Sequence, residues 1–258
     1  MKLSCSNIAW GAENDAEMYA FLKEHGFYGL EIAPTRIFPE NPYEHVHEAE
    51  VFRNYLHNEY GLSVPSMQSI WYGRTENIFA SDEERSALIE YTKKAILFAK
   101  AVDCGNLVFG CPKNRNIPSE DLRYIALDFF NEIGTFATEH GTVIAIEPNP
   151  PIYNTNFINT TKEAYDICRK INNNGIRVNV DTGTIIANNE SIDLIAENID
   201  MVNHIHISEP MLVPLEKREL HKELARLKYD NWISIEIKNS GNLDDIKKAV
   251  GYIREVMV

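Results

Sequence analysis

Short apolar segments alternate with longer helical patterns along the whole 258-residue chain. Eight segments have the length and the β-branched content of strands. They cover residues 3–8, 29–33, 63–68, 106–111, 143–147, 178–181, 202–208 and 233–237. In the helical segments apolar residues recur on one face, as Ile246, Ala249, Val250 and Ile253 do in the last one. Ser81 with Glu84, Thr160 with Glu163 and Asn14 with Glu17 have the spacing of helix-starting capping boxes.

Eight strand–helix units predict one α/β domain over residues 1–258, folded as a closed (β/α)8 TIM barrel. An open doubly wound sheet is the competing architecture. Its usual glycine-rich phosphate turn is missing after the first strand, where residues 9–12 contain one glycine. The number and even spacing of the strands also favour the barrel.

The last four predicted strands alternate sharply between aliphatic and polar residues, as Ile205 and Ile207 do against His204 and His206. In a barrel the aliphatic face packs under the helices, so the polar face lines the interior. Four ionisable residues of this polar face come at or near the C-terminal strand ends, where active sites of such barrels lie. They are Glu147, Asp181, His206 and Glu236.

Several ionisable groups in a closed interior are costly unless they are paired or bind a cation. Any one of the four alone has a structural explanation as a hydrogen-bonded interior group. Together, on adjacent strands, they favour one divalent-metal site, with His206 preferred to the deeper His204. Three carboxylates and an imidazole suit Mn²⁺ or Mg²⁺ and tolerate Co²⁺ or Zn²⁺.

The charge and the apolar content of the chain exclude some classes of partner. The chain has 25 basic and 38 acidic residues, a net charge of −13, and no basic run, so nucleic acid is not an expected partner. No segment approaches the roughly 20 apolar residues of a membrane helix. The four cysteines show no C-x-x-C spacing, which favours reduced thiols. We therefore expect a cytoplasmic protein without a membrane partner.

At the four strand ends the sequence resembles the xylose-isomerase-like barrels, sugar isomerases and epimerases that include the D-tagatose 3-epimerase group. The matching segments are 146–149 (Ile-Glu-Pro-Asn), 180–183 (Val-Asp-Thr-Gly), 204–208 (His-Ile-His-Ile-Ser) and 235–238 (Ile-Glu-Ile-Lys). The resemblance implies a metal-dependent sugar isomerase or epimerase that works through a metal-stabilised enediolate. It also implies that Glu147 and Glu236 are both ligands and catalytic acid and base, while Asp181 and His206 complete the coordination.

Two positions depart from the resembled pattern. Thr184 stands where many relatives have a substrate-contacting histidine, and Leu212 stands where the epimerases have an arginine. His221 is a candidate replacement imidazole, although its expected place is a helix. The departures leave two alternatives open: a metal-dependent sugar or keto-inositol dehydratase, and a non-catalytic ligand-binding barrel with a decayed site. Endonuclease IV, a distant relative, needs further histidines after three strands where this chain has none.

The expected partner is a small sugar or sugar derivative, and a homo-oligomer is left open. Substrate-binding candidates are Trp10, Gln68, Trp71 and Lys238. The two indoles follow strands and offer faces for a sugar's C–H surface, with core packing as the alternative. Gln68 has inward parity, and Lys238 lies two residues beyond Glu236.

Glu31 is expected either to support the site from inside or to pair with Arg36. Lys113 and Arg115 are expected in an exposed loop.

Overall fold

The computed structural model describes residues 1–258 and contains seven parallel strands in one curled sheet. The strands are β1 (Lys2–Ser6), β2 (Gly29–Glu31), β3 (Leu107–Phe109), β4 (Ile144–Ile146), β5 (Ile176–Asp181), β6 (Val202–Ile207) and β7 (Trp232–Ile235). Their order in the sheet is β2-β1-β7-β6-β5-β4-β3. This is a TIM-barrel-like α/β fold, as the alternation of strands and helices predicts.

One of the eight predicted strands, residues 63–68, the third along the chain, does not form a continuous strand. The sheet therefore has seven strands instead of the predicted eight. The segment pairs only through isolated bridges, Ser63 with Gly29 and Met67 with both Ile32 and Leu107. Pro65 lies in its middle and has no N–H for a ladder. Backbone bonds still run from this segment to β2 and to the strand that follows, so it lies between the two sheet edges.

Ten helices accompany the sheet. They are α1 (Asp15–Glu24), α2 (Pro34–Ile37), α3 (Val46–Tyr55), α4 (Asp82–Ala101), α5 (Arg123–Glu139), α6 (Thr161–Ile171), α7 (Thr182–Asn188), α8 (Asp193–Ala196), α9 (Glu219–Ala225) and α10 (Leu243–Met257). The apolar face predicted for the last helix is confirmed, since Ile246, Ala249, Val250 and Ile253 of α10 are buried. None of the ten helices has both the length and the apolar composition needed to cross a bilayer.

Helix starts follow the predicted capping boxes in part. Thr160 and Glu163 form the complete box at α6. Ser81 accepts the Glu84 N–H at α4, but the Glu84 carboxylate accepts the N–H of Asn77 instead of closing the box. Asn14 is the N-cap residue of α1, as predicted, but its side chain makes no cap bond, so the capping box does not form there.

The predicted division between aliphatic and polar strand faces is confirmed. Ile205 and Ile207 belong to a core cluster of 61 buried residues. The alternating residues of β6, His204 and His206, are buried too, but they bond to polar groups of other strands. The His206 ring reaches Glu31 at the end of β2, so the polar faces meet inside the curled sheet. This arrangement gathers ionisable groups at one end of the interior.

Candidate metal centre

Four strand ends bring one imidazole and three carboxylates together. Asp181 is the last residue of β5, His206 lies in β6, and Glu147 and Glu236 directly follow β4 and β7. One ligand atom from each lies within 4.8 Å of those of the other three. His204 is not part of this group; its Nε2 lies 2.8 Å from the Ser234 hydroxyl. The structure thus collects the four residues predicted as ligands.

The His206 ring is oriented by the carboxylate of Glu31, which comes from β2 across the interior of the curled sheet. Its Nε2 lies 2.8 Å from Glu31 Oε2, while Nδ1 lies 2.8 Å from Glu147 Oε1 and 3.1 Å from Glu236 Oε2. Nδ1 has no well-directed hydrogen bond despite being buried. Nε2 donates to Glu31, so Nδ1 is the ring atom that faces the carboxylates, and it is the atom through which the imidazole would bind a metal.

Of the two roles expected for Glu31, the structure thus shows the first, support of the site from inside. The second alternative, an ion pair with Arg36, is not formed, because the Arg36 guanidinium pairs with Asp15. Burial on its own raises the pKa of Glu31, but the charge and hydrogen bond of His206 lower that pKa to about 2. Glu31 is thus an anion that holds the imidazole from behind.

The electrostatics of the group call for a cation. Burial, and then the charge of Glu147, raises the pKa of Asp181 to about 6. Burial raises the pKa of Glu236 to about 7, against the opposing effect of His206. Burial lowers the pKa of His206, but the charges of Glu31 and Glu236 raise it well above its usual value. Crowded, buried carboxylates whose pKa values are raised are stabilised as anions by a bound divalent ion, so the donor set fits a metal.

Asp181 is held by the start of the helix that follows it. Its Oδ2 accepts the backbone N–H of Thr184 at 2.7 Å, and its Oδ1 accepts the Ser208 hydroxyl. The Thr184 hydroxyl lies 2.9 Å from the same Oδ2 and 2.8 Å from the Pro148 carbonyl. Thr184 is fully buried, and through its hydroxyl this departure from the resembled pattern helps to position the Asp181 carboxylate.

Glu147 is held by two amides. Asn179 donates to Oε1 at 2.8 Å, and Asn149 donates to Oε2 at 3.3 Å. Gly110, just after β3, leaves room for this carboxylate, because a Cβ there would come within 2.8 Å of Glu147 Oε2. These supports fix the direction in which the carboxylate faces its neighbours.

Arg115 corrects a sequence prediction. Instead of lying in an exposed loop, it is fully buried, and its guanidinium donates to the Glu147 carbonyl at 3.0 Å and to Asn149 Oδ1 at 2.9 Å. Its bonding partners are mainly backbone carbonyls, which no sequence pattern identifies. Lys113, two residues earlier, is exposed as predicted.

A cavity of about 230 Å³ opens over the carboxylates. Its lining residues are Gln68, Ser69, Val108, Gly110, Cys111, Pro112, Glu147, Asn149, Tyr153, Asp181, Leu212 and Glu236. Gln68 is thus the one residue of the predicted substrate-binding set that lines it. Leu212, the second departure, also faces this space.

The other predicted substrate residues lie outside the cavity. Trp10 is 1% exposed, and its indole N–H donates to Asp15. Trp71 is 2% exposed, donates to the Thr92 hydroxyl and packs edge-on against Phe109. The Lys238 side chain is exposed. For both indoles the structure shows the alternative placement, core packing. His221 lies in α9 against the Tyr252 hydroxyl, as expected for a helix residue.

Sequence reasoning missed three residues that support the site: Asn149, Asn179 and Ser208. A signal existed for two of them. Asn179 has the same parity in β5 as Asp181, and Ser208 continues the polar face of β6. Asn149 lies in an irregular segment, where strand parity does not apply.

Comparison with known proteins places the fold. A 3-keto-D-glucoside 4-epimerase from E. coli has a similar structure, with a TM-score of 0.78 and 20% identity over 99% of both chains. A D-psicose 3-epimerase from Clostridium cellulolyticum H10, solved with D-tagatose, has a TM-score of 0.76 and 15% identity over 100% of this chain and 99% of its own. The IolI protein, solved with a zinc atom, has a TM-score of 0.70 and 16% identity over 100% and 95%.

At these identities the likeness concerns the fold. No curated protein matches the sequence. The sequence profile described as xylose isomerase-like TIM barrel matches residues 19–256, nearly the whole chain. The chain therefore belongs to the xylose isomerase-like TIM barrel family.

Proposed function

We propose that the chain is a divalent-metal-dependent sugar isomerase or epimerase. The observation that carries the proposal is the group formed by Glu147, Asp181, His206 and Glu236, whose ligand atoms lie within 4.8 Å of one another beneath a cavity. Mn²⁺ or Mg²⁺ suits this mainly oxygen donor set, and Co²⁺ or Zn²⁺ is tolerated. Sugar epimerases among the similar structures support the substrate class, and one similar structure contains zinc.

The residues divide into holders and proton carriers. Asp181 is held by Thr184 and Ser208, and His206 by Glu31, which suits ligands that stay in place. Glu147 is held by two amides as well, so its role as a proton carrier is proposed from its place in the cavity lining. When bound, the metal polarises adjacent sugar oxygens and acidifies the C–H between them.

Glu147 and Glu236 come from strands separated by β5 and β6 and both line the cavity. Carboxylates placed on two sides of a sugar carbon can remove a proton from one face and return one to the other. Opposed faces give epimerisation, whereas transfer to the neighbouring carbon on one face gives aldose–ketose isomerisation. Gln68 is placed to bind a sugar hydroxyl.

We further propose that residues 1–258 form one domain, in which segment 63–68 takes the place of the eighth strand. A single cluster of 61 buried residues supports this.

The test is proton exchange with solvent. The Mn²⁺-loaded chain is incubated in D₂O with a panel of aldoses and ketoses, and deuterium in recovered sugars is measured by mass spectrometry. We expect exchange on at least one sugar. Glu147→Gln or Glu236→Gln should lower its rate by about 10²–10⁴-fold, because each removes one proton carrier. Glu216→Gln, at a side chain 71% exposed, is the matched control and should keep the rate.

Two results would contradict this assignment. Exchange on no sugar by a chain that holds metal would favour a non-catalytic barrel. Loss of water from a sugar, seen by mass spectrometry as a dehydrated product, would identify the dehydratase.

A further inference from the structure

A second cavity adjoins the metal centre on one side. It has a volume of about 540 Å³ and lies between two loops that follow segment 63–68 and β3. None of its lining residues is acidic, and those that bear on ligand binding are Ser69, Tyr72, Arg74, Thr75, Lys113 and Asn114. We call it the side groove. Ser69, Cys111 and Pro112 line both the side groove and the cavity over the carboxylates, so the two spaces share a wall.

Size suggests that the two spaces serve one ligand. Pockets for small molecules generally measure about 300–1,000 Å³. The cavity over the carboxylates, at about 230 Å³, is below this range, whereas the side groove lies within it. A ligand that spans both uses a site of ordinary size and places only one end at the metal centre.

The shared wall is built with an unusual backbone. Ser69 has φ of 54° and Cys111 has φ of 43°, both in the left-handed region that residues other than glycine seldom adopt. Such conformations cost energy and are concentrated at functional sites. Both residues lie in the wall that the cavity and the side groove share.

The side groove is rigidly braced. The Asn114 side chain donates to the carbonyls of Arg74 at 3.2 Å and Glu76 at 2.7 Å, and the Asn114 carbonyl accepts the N–H of Ile78. One buried amide thus ties the two loops together. A groove held open in this way is preformed for a ligand, which reduces the cost of ordering on binding.

The chemistry of the lining indicates a sugar ring more than an anionic group. Tyr72 is 70% exposed and presents an aromatic ring in a lining that contains no carboxylate. Aromatic rings stack on the C–H face of sugars. Arg74 pairs with Glu76 and lies 4.7 Å from the Tyr91 ring centre, which leaves Lys113 as the cation without an ion pair. One lysine with Ser69 and Thr75 suits hydroxyl groups better than a phosphate.

We propose that the side groove binds the second ring of a glycoside whose first ring lies at the metal centre. This inference rests on the proposed function and names its substrate class. Tyr72 would stack on the second ring, and Lys113 would donate to its hydroxyls.

The test compares sugars with one and two rings. Binding of D-fructose and of lactulose and isomaltulose, in which a second hexose is linked to fructose, is measured by calorimetry on the Mn²⁺-loaded chain. We expect one of the two-ring sugars to bind about fivefold to tenfold more tightly than D-fructose, a gain typical of one aromatic contact. Tyr72→Ala and Lys113→Ala should each reduce this preference and leave D-fructose binding unchanged. Tyr28→Ala, at a tyrosine 59% exposed before β2, is the matched control and should change neither.

Three outcomes would overturn the inference. If one-ring and two-ring sugars bind equally and deuterium exchange is intact, the side groove does not bind a second ring, and the proposed function still stands. Tighter binding of fructose 6-phosphate than of either two-ring sugar, lost in Lys113→Ala, assigns the groove to an anion instead. Absence of both binding and exchange for every sugar overturns the proposed function together with the groove.

Discussion

The two halves of the barrel differ in what their strand ends carry. In β4–β7, which we call the ligand half, four consecutive strand ends supply three carboxylates and an imidazole. In β1–β3 with segment 63–68, the support half, the strand ends supply one carboxylate, Glu31, and an amide, Gln68, which donates to Ser6 at 2.8 Å. β5 and β6, which are neighbours in the ligand half, are the longest strands of the sheet, with six residues each.

The difference indicates a division of work. The ladder between β5 and β6 fixes the register of Asp181 opposite His206. In the support half, the loops after segment 63–68 and β3 shape the cavity and the side groove. The Glu31 side chain crosses from β2 of the support half to reach His206 of the ligand half.

The largest expected effect comes from a charge in the ligand half. Asp181→Asn keeps the shape of the side chain but removes a ligand charge. We expect Mn²⁺ affinity, measured by calorimetry, to fall by at least about 100-fold, beyond the 10–100-fold typical of residues that only hold a ligand. The matched control is Asp15→Asn in α1 of the support half. It breaks the pair with Arg36 and should cost about 1 kcal/mol or less of stability. Equal loss of Mn²⁺ affinity in both variants would erase the distinction between the halves.

Glu31 tests the link between the halves. Glu31→Leu removes the acceptor behind His206 and frees the ring to turn, so Mn²⁺ affinity should fall by roughly 10–100-fold. Glu31→Gln keeps an acceptor oxygen and should recover part of the loss. Circular dichroism melting of both variants separates a loss of affinity from a loss of fold. If Glu31→Leu folds and binds Mn²⁺ like the parent chain, the imidazole needs no support from β2.

Gln68 tests what the support half does for the sugar. Gln68→Ala should leave Mn²⁺ affinity unchanged and raise the KM of an accepted sugar about threefold to tenfold, the effect of one hydrogen bond. The split between metal affinity and KM is the informative result. A fall in Mn²⁺ affinity would place Gln68 with the ligands.

The smallest effect on the site is expected at Trp10. Because the indole is 1% exposed and bonded to Asp15, Trp10→Leu should lower the free energy of unfolding by about 3 kcal/mol. Metal affinity and KM should each change less than twofold, well under the effect of one hydrogen bond. A several-fold rise in KM with an unchanged melting temperature would restore the stacking role predicted from the sequence.

The ligand half could be predicted because its strands alternate between aliphatic and polar residues. Ile205 and Ile207 against His204 and His206 give both the strand and its inward face. The support half has weaker patterns. Segment 63–68 looked like a strand, although Pro65 prevents a continuous ladder.

Burial by distant partners could not be predicted. Arg115 is buried because carbonyls of the segment after β4 surround it, and these approach it only in the folded chain. Thr184 looked like a missing substrate contact, but its N–H holds Asp181 at the start of α7. In both cases a backbone group takes part in the contact, and backbone groups carry no mark in the sequence.

The central claim is that the ends of β4–β7 bind one divalent ion, and metal stoichiometry tests it most directly. The chain is stripped with chelator, reloaded with Mn²⁺, freed of excess ion and analysed by mass spectrometry of the metal, beside Asp181→Asn combined with Glu236→Gln. The account predicts one Mn²⁺ per parent chain and almost none in the folded double variant, because two of the four ligand charges are gone. A parent chain that retains no ion, or a double variant that retains one, would contradict it.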